Sequence, residues 1–156
     1  ILMSTTPCFV EKKDWPYGVN KKFFSNFEME AKQNLDNTLM KFFLIQTRGI
    51  DDSKNVMRFL KNTFIEMRDE NKSGMQSALN VLKETDLRNE VKKIDKPTLI
   101  ITGDKDRLTS SKASIWLYEK IERAKLKEIK GANHMPFISH KETMTESVKK
   151  FLQNDQ

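Results

Sequence analysis

Two short stretches hold the residues best suited to acid–base chemistry. Gly103-Asp104-Lys105-Asp106 carries two carboxylates, and Gly131-Ala132-Asn133-His134-Met135-Pro136-Phe137 carries one of the 2 histidines. A carboxylate beside an imidazole fixes its tautomer and stabilises the imidazolium, so the imidazole can take a proton from a nucleophile. Spacing alone leaves Asp104 and Asp106 as rival partners for His134. Asp106 could also simply cap the helix that follows it. His140 reads as a polar residue beside the start of the last helix. Cys8 has no base near it in sequence and reads as a small buried thiol. As the only cysteine (Cys 1), it excludes an internal disulfide framework and a multi-cysteine zinc site, and it fits a reducing, cytoplasmic setting. No metal-ligand set is evident.

Both stretches follow strand-like runs. Asp95-Lys96-Pro97 precedes Thr98-Leu99-Ile100-Ile101-Thr102-Gly103, an apolar, β-branched run bounded by turn residues and so a buried strand. Leu126 to Ile129 reads as a second strand, ending at Gly131. Between them, Ser110 to Arg123 reads as a helix with Ile115, Tyr118 and Ile121 inward. Glu142 to Leu152 is a final amphipathic helix through Met144, Val148, Phe151 and Leu152. Strand, helix, strand, helix implies parallel strands, and the ligand site of an open α/β sheet lies beyond their carboxyl ends.

The first half is different. Residues 1–5 read as a strand and 6–19 as a loop rich in Pro, Gly and aromatics. Residues 21–47 read as helix broken once, best defined at Leu39, Phe42, Phe43 and Gln46, with Gly49 as a C-cap. Asp51-Asp52-Ser53 open a second helix through about Met67, with Val56, Phe59, Leu60, Phe64 and Met67 on one face. Ser73-Gly74 start a third, carrying Met75, Leu79 and Leu82 and ending near Asp86-Leu87. The fold class is therefore α/β: three parallel strands with flanking helices, and a helical insertion after the first strand.

The 156 residues, 37% of them hydrophobic with 10 Phe, suit one globular domain with a real core. The formal net charge of +6 is spread over mixed charges, with no run of five like charges and no nucleic-acid motif, so a nucleic-acid role ranks last. No apolar stretch approaches the ~20 residues of a membrane span, and no charged-then-apolar leader opens the sequence. Ile1-Leu2-Met3-Ser4-Thr5-Thr6-Pro7 reads as the second half of a buried strand running into a turn. Parallel sheets covered on both faces are usually larger than three strands. Both features give the expectation that this is the back part of a longer protein. The 156 residues contain no Gly-x-Ser-x-Gly, and Ser4 lies near the site without that turn.

Gly-Asp-x-Asp after a strand, then Gly-x-x-His-x-Pro-Phe, resembles the C-terminal part of the α/β-hydrolase fold. The helical block sits where that superfamily inserts its cap. The resemblance narrows to the pimeloyl-[acyl-carrier protein] methyl ester esterases of biotin synthesis. It rests on Ser4-Thr5-Thr6-Pro7-Cys8-Phe9, Asp14-Trp15-Pro16, Phe42, Leu44, Gln46-Thr47, Gly49, Leu82-Lys83-x-Thr85-Asp86-Leu87-Arg88 and His134-x-Pro136-Phe137-Ile138-Ser139-His140. It implies a core of residues 1–14 and 88–156 and a cap of residues 15–87. It implies a cytoplasmic, monomeric carboxylesterase using Ser-His-Asp without metal or organic cofactor. Asp106 and His134 match the acid and base, Asp104 falls on a turn position, and the serine is expected outside this chain. Phe42 matches an aromatic of the acyl pocket. Lys41, Lys54 and Arg58 match basic positions that meet acyl carrier protein, with Asn37 where a further basic residue would be expected. Other readings stay open. One is a different α/β-hydrolase (lipase-like esterase, C–C hydrolase, epoxide hydrolase or dehalogenase). The other is a non-catalytic fragment that binds acyl carrier protein.

Overall fold

A computed structural model describes residues 1–47, 50 and 53–154, with the side chains of residues 66–73 and 154 outside the description. The sheet contains β1 (Leu2–Met3), β2 (Thr98–Gly103) and β3 (Ala124–Ile129), all parallel, in the order β1-β2-β3. Leu2 pairs with Ile100, and Thr98 through Gly103 pair with Ala124 through Ile129. The first strand is shorter than the expected residues 1–5. Its pairing ends after Ser4, which donates to the Ile101 carbonyl and has φ 44°.

All six residues of β2 are buried, as a central strand with both faces covered must be. Alternation divides its side chains. Leu99 and Ile101 pack with Ile129, Ala132 and Phe151, while Ile100 packs with Val91, Leu117 and Ile121. Phe151 comes from α6 (Lys141–Asn154), and Leu117 from α4 (Ser111–Lys120). Each such fully buried aliphatic side chain contributes roughly 1.5–3 kcal/mol. Ser110 caps α4 by accepting from the Lys112 amide. The inward face of α4 differs from expectation. Ala113, Ser114 and Leu117 are buried, while Ile115 and Tyr118 are exposed. The small residues let the helix backbone approach the loop that carries Cys8 and Trp15, with which Ala113 packs.

The helical block lies between β1 and β2. Its members are α1 (Lys21–Gln33), α2 (Leu35–Thr47) and α3 (Ser53–Glu84). Asn20 caps α1 by accepting from the Lys22 and Phe23 amides. The expected break falls at Asn34, whose side-chain oxygen accepts from the Asn37 amide and starts α2. Gly49 and Asp51-Asp52 lie outside the described residues. The expected break at Ser73-Gly74 does not occur, because α3 runs through it as one helix of 32 residues. A single helical glycine costs only about 1 kcal/mol relative to alanine, less than the apolar face supplies. Val56 and Leu79 are buried on that face, whereas Phe59 is exposed. Val10, Val19, Phe24, Ala31 and Leu79 form the block's own core.

The two connections between block and sheet are clamped together. Leu87 donates its amide to the Pro7 carbonyl, and Cys8 bridges to Asp86. Arg88 grips Asp86 through Nε and Nη2 at 2.9 and 2.8 Å and reaches Asp14 at 2.9 Å. Its guanidinium lies 5.5 Å from the Trp15 ring centroid, a cation–π contact. The Arg88 hydrogen bonds hold the Asp86 carboxyl far below the usual carboxylate range.

Candidate active site

The loops leaving β2 and β3 are stitched to each other before any catalytic side chain is considered. Gly103 closes β2 against Ala132, and a Cβ there would lie 2.2 Å from the Ala132 carbonyl oxygen. Only glycine permits that approach. Lys105 donates its amide to the same carbonyl at 3.0 Å. Asp104 accepts from the Gly131 amide at 2.7 Å, and Gly131 holds φ +81°, a conformation natural to glycine. Asp104 is therefore a tie between the loops, as a turn residue rather than the histidine's partner.

The stitching brings Asp106 to His134. Asp106 Oδ2 lies 2.9 Å from His134 Nδ1 and accepts from Thr109 Oγ1 at 2.7 Å. Oδ1 accepts from the Leu108 and Thr109 amides at 2.8 and 3.0 Å. The Asp106 side chain is fully enclosed and that of His134 about a quarter exposed, at 0% and 27%. Burial by itself pushes the Asp106 carboxyl up. Hydrogen bonding and charge from His134, with the Thr109 bonds, outweigh it and hold the group below the ordinary carboxylate value. Asp106 does cap, but it caps the turn 106–109, while Ser110 caps α4. With Nδ1 donating to the carboxylate, Nε2 of the neutral ring is left as the proton acceptor.

A cleft of about 1010 Å³ adjoins Asp106 and the Asn133 that precedes His134. Asp106, Leu108 and Asn133 line it from the sheet side, and Phe23, Phe42 and Ile45 from the helices. Phe42 is held edge-on by Phe27, with ring centroids 5.7 Å apart. The expected aromatic thus borders the same cleft as the expected acid.

A family model described as serine aminopeptidase, S33, matches residues 48–141. The chain belongs to this α/β-hydrolase family. Among its curated relatives, the pimeloyl-[acyl-carrier protein] methyl ester esterase of Wigglesworthia glossinidia brevipalpis is 36% identical over 155 residues, 97% of this chain and 59% of the relative. The protein of the same name from Xylella fastidiosa strain M12 is 33% identical, over 97% of this chain and 60% of its own length. The chain thus spans about 60% of the length of these relatives. An esterase from Exiguobacterium antarcticum superposes with TM-score 0.84 at 23% identity, covering 94% of this chain and 53% of that one. A hydrolase from Oleispira antarctica gives 0.83 at 20% identity, over 97% and 55%.

The remaining candidates of this α/β-hydrolase chain are placed apart from the pair. Lys41 is exposed and paired with Glu30 at 3.0 Å. Lys54 and Arg58 are exposed one turn apart on α3, and Arg58 donates to Asn55. Asn37 is exposed on α2. His140 Nδ1 lies 2.8 Å from the Ser139 hydroxyl, not beside a carboxylate. Cys8 is buried, its thiol donates to the Val10 carbonyl, and burial first, then the Asp86 charge, raises its pKa. That is the opposite of an activated nucleophile. Among the described residues, no group of three or more His, Cys, Asp or Glu is placed to hold a metal, and no helix is long and apolar enough to cross a membrane.

Sequence reasoning missed Thr109 and the cleft residues Phe23 and Ile45. Thr109 had a signal, since a hydroxyl residue three after an aspartate is placed to meet its carboxylate in a tight turn. Phe23 and Ile45 had none, because other apolar residues of the helices, such as Met29 and Leu44, are equally exposed without lining the cleft.

Proposed function

We propose that this chain is the acid-and-histidine portion of a carboxylic ester hydrolase acting by a Ser-His-Asp mechanism. The observation that carries the proposal is the 2.9 Å contact of Asp106 Oδ2 with His134 Nδ1, at the carboxyl ends of neighbouring parallel strands. The nucleophilic serine is assigned to the rest of the longer protein, since no Gly-x-Ser-x-Gly occurs in the 156 residues. In the whole enzyme His134 Nε2 takes the serine proton as the oxygen attacks the ester carbonyl. Asp106 holds the ring and stabilises the imidazolium. His134 then gives that proton to the departing alkoxide. A water molecule, deprotonated by the same nitrogen, releases the acid and regenerates the serine.

The substrate is assigned as the methyl ester of a pimeloyl group on acyl carrier protein, so the leaving alcohol is methanol. The names and identity of the curated relatives support that choice. On this reading residues 15–87 form a cap on a core of residues 1–14 and 88–156. Phe42, with Phe23 and Ile45, receives the apolar acyl chain. Lys41, Lys54 and Arg58 face the acidic carrier protein, and the enzyme works as a cytoplasmic monomer. The test is His134→Ala in the full-length gene product, assayed with pimeloyl methyl ester on acyl carrier protein. Turnover should fall roughly 10⁴-fold or more. Turnover within tenfold of the parent would overturn the assignment.

A further inference from the structure

The partner of its hydroxyl distinguishes Thr109 from the other buried threonines described. Thr38 and Thr47 donate to the backbone carbonyls four residues earlier and Thr98 to the Lys96 carbonyl, while the buried hydroxyls of Ser4, Thr102 and Ser114 have no partner among the described residues. Thr109, only 3% exposed, donates instead to Asp106 Oδ2 at 2.7 Å. That is the oxygen that also contacts His134 Nδ1, and Thr109 Oγ1 is itself 3.4 Å from the same nitrogen. The Thr109 amide bonds separately to Oδ1. The backbone part of the turn and the hydroxyl therefore act on different oxygens.

We infer that Thr109 is a positioning residue, whose hydroxyl fixes the carboxylate oxygen facing His134 and tempers how strongly that oxygen holds the imidazolium. The inference rests on the assignment of Asp106 and His134 as the acid–base pair. A hydroxyl donating to Oδ2 takes up part of its negative charge. Without that donor, Oδ2 offers more charge to the ring and favours its protonated form. The other charged groups on the surrounding loops make no contact with that hydroxyl. Asp104 accepts from the Gly131 amide, Lys105 and Arg107 are exposed, and His140 contacts Ser139.

The experiment follows the ring ¹⁵N resonances of His134 against pH in the full-length protein, beside the pH profile of kcat/KM. In Thr109→Val the ring's titration midpoint and the acidic limb of the profile should both rise by roughly 0.5–1 pH unit. Thr109→Ser keeps the hydroxyl and should return both to the parent position. An unmoved or lowered midpoint in Thr109→Val, or an equal rise in Thr109→Ser, overturns the inference and leaves Thr109 as a packing residue. If Thr109→Val fails to fold, Thr109→Ala, which cannot overpack the site, carries the same test. The ring titration is read without any turnover. If His134→Ala leaves turnover intact while the Thr109→Val midpoint still rises, the functional reading fails and the coupling stands. An unmoved midpoint beside an inactive His134→Ala fails the coupling alone.

Discussion

Asp106 and Lys41, the proposed acid and a proposed carrier contact, are held in two different ways. Asp106 sits at the end of β2, fully enclosed, with partners on both oxygens. Lys41 projects from α2 with more than half its side chain in water and one exposed partner, Glu30. Between the strand ends, every loop contact fixes another. Gly103 meets Ala132, Asp104 meets Gly131, and Asp106 meets His134. In the helical block, Lys41 meets Glu30 of α1 and Arg58 meets Asn55 on its own helix, and Lys54 is exposed. The first arrangement can set a bond to a few tenths of an ångström. The second can only supply charge to a partner that brings its own geometry.

That contrast sets the order of expected damage. Asp106→Asn keeps the shape but loses the charge that fixes the His134 tautomer. The value of kcat in the full-length enzyme should fall about 10³–10⁴-fold with KM little changed. A loss below tenfold would mean that the enclosed carboxylate serves only the turn 106–109. Gly103→Ala tests the stitching. A methyl group 2.2 Å from the Ala132 oxygen forces the two loops apart, so urea unfolding should show a loss of about 3 kcal/mol. A neutral result would show that the loop ends can yield, which would remove the basis of the comparison.

The sheet half was the more legible part of the sequence. Thr98–Gly103 is apolar and β-branched between turn residues, and its strand matches residue for residue. Asp106 and His134 were legible as a pair because an acid and a histidine each follow a strand closely, and the fold brings them to 2.9 Å. The inward face of α4 was misread, because periodicity favours large side chains such as Ile115 and Tyr118, whereas close packing selected Ala113 and Ser114. The continuity of α3 was hidden by Ser73-Gly74, since local propensity is a weak force over a long amphipathic face. The Arg88 clamp was not foreseen, because its partners Asp14 and Asp86 lie far apart in sequence and only folding brings them together.

The clamp is where the two halves meet, and its pH dependence is specific. The carboxyl of Asp86 is depressed first by Arg88, against burial, and then by Lys12. A depressed folded pKa gives stability that is whole above the unfolded value, near 3.9, and is lost as pH falls below it. Asp86→Asn should therefore cost roughly 1–2 kcal/mol at pH 7, with the gap to the parent narrowing steadily below about pH 4. Urea unfolding at pH 7, 5 and 3 checks it. A gap that is constant with pH would mean that the Arg88–Asp86 charges contribute nothing beyond shape.

The smallest effects belong to the exposed cations. If Lys54 and Arg58 meet an acidic carrier, each replacement by Gln should raise KM for the carrier-bound ester about two- to threefold, because exposed ion pairs are worth little singly. Lys41→Gln should do less, since Glu30 already shares that charge. Turnover of a small neutral ester should not change, because none of the three borders the cleft beside Asp106. The parent's advantage on the carrier substrate should also shrink with added salt, as screening weakens exposed charges first. Equal losses on carrier-bound and small esters would place these residues in the scaffold. A loss of a hundredfold from one replacement would mean that the helical block holds its cations as tightly as the strand ends hold Asp106.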